Sequence, residues 1–362
     1  MSVLELSQLP TDVISSVVFS PDSNTLGVSS WDKDRAILIY RRSASSAPFE
    51  LSSTIAANGP ILDLCFGAND DDVYAVGLDQ STARYSISGG AESREVLSSS
   101  SKPTNKVAYS REHKAVLSIS WNCTLHIHDA DSKQYIVLQL AAKPFALSLT
   151  ADKAVVTMAE RKVHVYALAD LKTLVGQAGS TAGMQQPIPA KPWQERESSL
   201  KFMTRASATM PDGTGFAASS IEGRVGVEWF DEEANQKMYA FKCHRDKSTT
   251  VNAEGQEVPV DIIYPVNAIA FHPIHGTFAT GGGDGVVALW DAKTKRRIRQ
   301  YPKLPASVAA MDFSADGKML AIGISPGFED GKEEDMPDPE LVKVYIREMG
   351  ESEAKGKPAK EK

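Results

Sequence analysis

The chain has little that could tie it together from outside its own core. Only three of its 362 residues are cysteine. Cys65, Cys123 and Cys243 are far apart, odd in number and without metal-ligand spacing, so they fit a reducing compartment as buried or half-buried thiols. No apolar run reaches the roughly 18 residues of a membrane span. The opening MSVLELSQLPTD lacks a basic region followed by an apolar one, which argues against a secretory leader. A basic excess is missing too. With 39 Lys plus Arg against 46 Asp plus Glu the net charge is −7, a poor footprint for non-specific binding to nucleic acid. Catalytic signatures are absent: there is no GxSxG, no P-loop and no CxxC. His272 and His275 form HPIH with no third ligand at zincin spacing, so they read as a structural turn. The glycine run GGGDG (281–285) has no helix behind it to bind phosphate and reads as a hairpin turn. We therefore expect no enzyme, no cofactor and no metal.

What the sequence does contain is repetition. Segments 16–40, 61–86, 105–129, 146–166, 205–231, 266–291 and 308–346 share one grammar. A strand is followed by a turn such as SPD, MPDG or SADG, then by a strand of small and β-branched residues, a tight polar turn and a third alternating strand. From the tight-turn residue to the closing residue the step is six in five units: Asp79 to Tyr85, Asn122 to His128, Glu160 to Tyr166, Glu222 to Glu228 and Asp284 to Trp290. The first unit adds two residues (Asp32 to Tyr40), and the seventh carries an insert at this turn. Helical periodicity is nearly absent. Repetition at this period predicts an all-β fold, a seven-bladed WD-repeat β-propeller whose radial arrangement protects sheet edges. TGGGDGVVALWD resembles the WD-repeat signature. Two stacked sandwiches, the runner-up, would need no constant step. LELSQL (4–9) is the candidate strand that closes the ring.

The expected organisation is a single propeller over 1–347 followed by a charged, disordered tail over 348–362. Three segments break the period. Residues 175–199 read as a loop rich in Gly, Pro, Gln and Ser, 242–264 as a second long connection, and FEDGKEEDMPDPE (328–340) as an acidic excursion.

With catalysis set aside, recognition remains. In a blade the second-to-third strand turn lies on the same rim as the connection into the first strand. Trp31, Trp121, Arg224 and Asp284 belong to such turns; Lys242, His244 and Arg245 begin the connection from blade five to blade six, and Arg205 opens blade five. A turn arginine standing alone is usually a solvated rim charge. Convergence of cations from three segments favours binding of a phosphate or carboxylate by charge-assisted bonds.

RESSLKFMTR (196–205), SSIEGRVGVEWFD (219–231), YAFKCHR (239–245), YPVNAIAFHPIHGTFATGGGDG (264–285), ISSVVFSP (14–21) and VSSWD (28–32) resemble the Bub-class spindle-checkpoint propeller, the non-kinase partner of the Bub checkpoint kinase. The resemblance runs through all seven blades. It implies a nuclear scaffold, at kinetochores in mitosis, that binds a GLEBS-type segment of the checkpoint kinase and of its Mad-type relative. It also implies binding of phosphorylated Met-Glu-Leu-Thr repeats of the kinetochore scaffold, a meeting with the anaphase-promoting-complex activator, and no direct contact with DNA or membrane. Carried over by position, Arg224 and Lys242 contact phosphothreonine with Trp31 nearby, and Arg205 pairs with glutamates of the kinase segment; Trp121 and Arg245, on the same rim, are expected to join that segment's site. The mRNA-export propeller of the nuclear pore is the nearest relative of that family; it shares EGRV and FKCHR and would bind a GLEBS-type segment and ribonucleoprotein. A ubiquitin-ligase substrate receptor is a weaker third reading, because no adaptor-binding module is visible.

Overall fold

In the computed structural model, residues 3–89, 93–132, 134–177, 186–189, 191–327 and 337–356 are described. Their strands form seven antiparallel four-stranded sheets. Blade one is Ile14–Phe19, Thr25–Ser30, Ile37–Arg41 and Glu50–Ile55, running from the central channel outward. Blades two to six follow the same order over 61–99, 104–139, 144–197, 204–242 and 266–300. Blade seven takes three strands from Val308–Phe313, Met319–Ile324 and Lys343–Glu348, and its outer strand from Val3–Glu5 at the other end of the chain. The closing strand therefore begins one residue before the expected LELSQL. Its pairing ends with the bond from the Leu6 N–H to the Val344 carbonyl, and Gln8 turns away with φ 58°.

The core is a ring rather than a ball. Seven apolar clusters sit one between each pair of neighbouring blades. Second strands such as Ala115–Ser120, Gly215–Ser220 and Thr277–Gly282 are buried along their whole length, because both faces meet a sheet. That is why they read as small and β-branched residues. A Cβ at Gly281 would lie 2.4 Å from Val308 Cγ1 of blade seven. Larger groups fill the wider parts: Phe216 and Phe278 are fully buried, each contributing about 1.5–3 kcal/mol by leaving water.

The constant step has a physical cause. Tyr85, His128, Tyr166, Glu228 and Trp290 occupy one register position on the third strands, opposite Val73, Val116, Ala154, Phe216 and Phe278. Each bonds through a polar group: Tyr85 to Arg94, His128 to Ser98, Tyr166 to His164, Glu228 to the Ser199 N–H, Trp290 to Thr280. Tyr40 holds this place in blade one and Arg347 in blade seven.

Three of the irregular segments are more ordered than expected, and a fourth lies mostly outside the described residues. The loop expected over 175–199 starts inside a helix, Leu168–Gln177, which buries Leu168, Leu171 and Val175 against blades three and four. It also contains Gln194–Glu197, the outer strand of blade four. The connection over 242–264 is an antiparallel hairpin, Arg245–Val251 with Glu257–Ile263. Of the acidic excursion, 328–336 lie outside the described residues, and Pro339–Leu341 form a short 3-10 turn capped by the Asp338 side chain. The tail is ordered through 356. Glu353 is buried and accepts from Tyr301 at 2.8 Å and Arg347 at 2.9 Å, while the Ala354 carbonyl accepts from Thr277. Charge suggested solvation there; a complete set of donors for one carboxylate outweighs it.

Candidate functional site

Each inner strand carries a bulge one residue in from its start. An extra residue turns one more side chain out of the ladder. The second residues of the seven inner strands are Ser15, Leu62, Asn105, Phe145, Arg205, Asn267 and Ala309, and all seven line a cavity of about 790 Å³ at the mouth of the central channel. Several also tie one blade to the next. The Ser15 hydroxyl donates to the Ile61 carbonyl at 2.7 Å, and Asn105 Nδ2 to the Phe145 carbonyl at 3.1 Å. Arg205 Nε and Nη2 donate to Asn267 Oδ1 at 3.1 and 3.0 Å, and Asn267 Nδ2 donates to Ser307 Oγ at 3.0 Å.

Trp31 and Trp121 join this wall from second-to-third strand turns, and the Lys143 ammonium sits 4.6 Å from the centre of the Trp121 ring. Lys106 lies in the same wall, 3.3 Å from Asp63. No carboxylate residue lines the cavity among the described residues. Asn105 Oδ1 is buried there without a donor among the described residues. The mouth therefore combines cations, aromatic faces and an unfilled acceptor.

A second cationic group lies at the rim of blade five. Arg224 and Lys242 face each other in register on the third and outer strands. Arg224 Nε is 3.5 Å from Glu222 Oε2, and Arg245 Nη2 donates to the Glu222 carbonyl at 2.8 Å. Arg245 Nε is buried with no acceptor among the described residues. The backbone around these cations is closely packed. Gly223 has φ 63°, and a Cβ there would meet the Cys243 carbonyl at 2.7 Å. His244, between Lys242 and Arg245, is buried with Nδ1 2.8 Å from Asp284 Oδ1 and Nε2 2.9 Å from Thr280 Oγ1, which also accepts from Trp290 Nε1. Burial pushes the Cys243 thiol up to about 12, so it stays protonated and inert.

The structure thus groups the six residues singled out from sequence in a different way. Trp31, Trp121 and Arg205 share the channel mouth; Arg224, Lys242 and Arg245 cluster at the blade-five rim and are not among the cavity-lining residues. Sequence reasoning missed Asn105, Asn267, Lys106 and Lys143. The signal for the two asparagines was present, since both hold the second place of the inner strand, as Arg205 does. His272 and His275 stack in a turn, with His272 Nε2 3.0 Å from the Gly317 carbonyl.

Seven four-stranded blades, with a hydrogen-bonded His–Asp–Thr–Trp constellation at blade six, make this a WD-repeat propeller with cations gathered at its channel mouth and at the blade-five rim. Residues 263–291 match the WD domain, G-beta repeat family. Mitotic checkpoint protein BUB3.1 of Arabidopsis thaliana is 38% identical over 362 residues, covering 98% of this chain and 95% of that protein. Mitotic checkpoint protein bub3 of Dictyostelium discoideum is 32% identical over 353 residues, covering 96% of each. Protein RAE1 of Arabidopsis thaliana is 28% identical over 354 residues, covering 98% and 93%. The chain belongs to the BUB3 family of mitotic checkpoint WD-repeat propellers.

Proposed function

We propose that this chain is a non-enzymatic adaptor of the spindle-assembly checkpoint that holds two acidic peptides on one face. The channel mouth takes a GLEBS-type segment of the checkpoint kinase and of its Mad-type relative. Arg224 and Lys242 take the phosphothreonine of Met-Glu-Leu-Thr motifs in the kinetochore scaffold. The observation that carries this reading is the charge of the mouth: Lys106, Lys143 and Arg205 with two tryptophans and no carboxylate lining it among the described residues, in a chain of net −7. Such a wall attracts glutamates and gives their apolar neighbours an aromatic surface.

At the rim, phosphorylation adds about −1.5 to −2 charge and three acceptor oxygens. Each charge-assisted bond contributes about 1.5–3 kcal/mol, so two of them separate phosphorylated from bare peptide by roughly 10²-fold or more. Function then follows from proximity: the adaptor acts in the nucleus and at unattached kinetochores, where it brings checkpoint proteins together and meets the anaphase-promoting-complex activator. It needs neither DNA nor membrane.

The test is fluorescence-polarisation binding of a Met-Glu-Leu-Thr peptide, bare and threonine-phosphorylated, with the GLEBS-type segment present. A strong preference for the phosphorylated form is expected. Binding of the GLEBS-type segment with no binding of either peptide would overturn the checkpoint reading in favour of an mRNA-export scaffold, the direction in which the similarity to Protein RAE1 points.

A further inference from the structure

We propose that the outer edge of blade six is a second docking site, where an acidic, extended segment of a partner protein adds a strand to the sheet. The outer strand here is Arg296–Gln300, sequence RRIRQ, and no described strand pairs with its far edge. Such an edge offers a row of unpaired N–H and C=O groups. Charge on an edge strand is a common guard against unwanted pairing. The other six blades show that this protein does not rely on that guard. Their outer strands read ELSSTI, EVLSS, YIVLQ, QERE, YAFK and VLE, and none carries more than one cation. Blade six carries three.

The turn before it extends the charge. Asp291 Oδ1 accepts from the N–H groups of Lys293 and Thr294 at 2.9 and 3.1 Å, and the Lys295 N–H donates to the Asp291 carbonyl, so Lys293 and Lys295 project from a fixed loop. Little of this charge is neutralised. Arg299 lies 3.5 Å from Glu353, and Arg297 bonds Gln300 Oε1. Lys295 Nζ lies 4.6 Å from the centre of the Tyr239 ring of blade five and donates to the Lys237 carbonyl. Among the described residues, Lys293, Arg296 and Arg297 have no carboxylate partner. Arg297 pairs opposite Trp290, whose ring packs on Phe241 of blade five, whereas Arg299 pairs opposite Leu289 in the cluster toward blade seven. The cations therefore flank the edge on both faces, where the alternate side chains of an added strand would fall within cross-strand reach. An added acidic strand satisfies both the backbone edge and the charge, which a nucleic-acid backbone would not.

The full chain is titrated with a labelled peptide of alternating Glu and Val. Tenfold or more weakening in the Arg296→Glu, Arg297→Glu double variant is expected. A peptide with every Val replaced by Pro keeps the charge but cannot pair, and should not bind. The milder Arg296→Gln, Arg297→Gln pair replaces the reversal if that variant misfolds. Unchanged affinity in the folded double variant overturns the site. Equal binding of the proline peptide overturns strand addition, tighter binding of duplex DNA overturns the partner class, and loss on Arg224→Ala assigns the peptide to the top face instead.

Discussion

Arg224 and Lys242 stand directly opposite each other in the register of blade five, two like charges on adjacent strands. Such a pair costs stability. Glu222, 3.5 Å from the Arg224 Nε, offsets part of that cost, and Lys242 has no carboxylate partner among the described residues. A phosphate placed between them would remove the repulsion and gain two charge-assisted bonds. Lys242→Ala should therefore leave the melting temperature unchanged or slightly raised while weakening phosphopeptide binding at least about tenfold. Arg224→Ala should weaken phosphopeptide binding as much, with a small loss of stability because its contact with Glu222 goes too. Lys242→Arg, which supplies a planar fork, should bind at least as tightly as wild type. Thermal melts beside polarisation titrations check all three; a loss of binding by Lys242→Ala matched by a fall in its own stability would make the pair structural.

Arg205 has two duties that can be separated. Its guanidinium joins blades five and six through Asn267, and it lines the channel mouth. Arg205→Glu should abolish binding of the GLEBS-type segment, because it places a carboxylate in a wall that has none among the described residues. Asn267→Ala removes the tie and keeps the cation, so it should cost about 1–3 kcal/mol of stability and retain most binding. Urea denaturation and calorimetric titration on both variants decide it. Retained binding by Arg205→Glu would remove this residue from the site.

Gly223 lies between Glu222 and Arg224 with φ 63° and no room for a Cβ. Gly223→Ala combines backbone strain with a 2.7 Å contact to the Cys243 carbonyl, which should cost roughly 1–3 kcal/mol. The displaced turn carries Arg224, so phosphopeptide affinity should fall with stability while GLEBS-type binding persists. Denaturation and binding measured on the same preparation test this.

Much of this architecture is legible in the sequence because the blades obey one register. The six-residue step survives since the closing residue in each of these units makes a side-chain hydrogen bond, whether it is Tyr85, Glu228 or Trp290. The hairpin 245–263 and the helix 168–177 escaped notice for a different reason. Each is a short insertion whose pattern lies outside the repeat. The cations of the site were visible as residue types, yet their grouping was not. Trp31 and Arg205 are far apart in sequence and meet only because blades one and five face one channel. Glu353 hides best of all, in a tail whose composition suggests solvent until Tyr301 and Arg347 are placed beside it.

Blade three holds an acid-sensitive point. His126 and His128 are buried, and the Ser98 hydroxyl lies 3.0 Å from His126 Nδ1 and 3.1 Å from His128 Nε2. Burial pushes the two rings down to about 4 and about 3 respectively, below their ordinary value of 6.5. Both are neutral in the folded chain at neutral pH. As pH falls below 6.5 the unfolded chain takes up protons that the folded chain refuses, so stability declines through this window and the loss levels off below about 3. Each ring can contribute a slope of up to about 1.4 kcal/mol per pH unit. Tyrosine occupies the place of His128 in blades one, two and four, as Tyr40, Tyr85 and Tyr166. His128→Tyr should therefore fold and remove one ring's share of the acid loss. Guanidinium titrations from pH 7 to pH 5 on wild type and variant read the difference directly: equal slopes would show that His128 is not the group being protonated on unfolding.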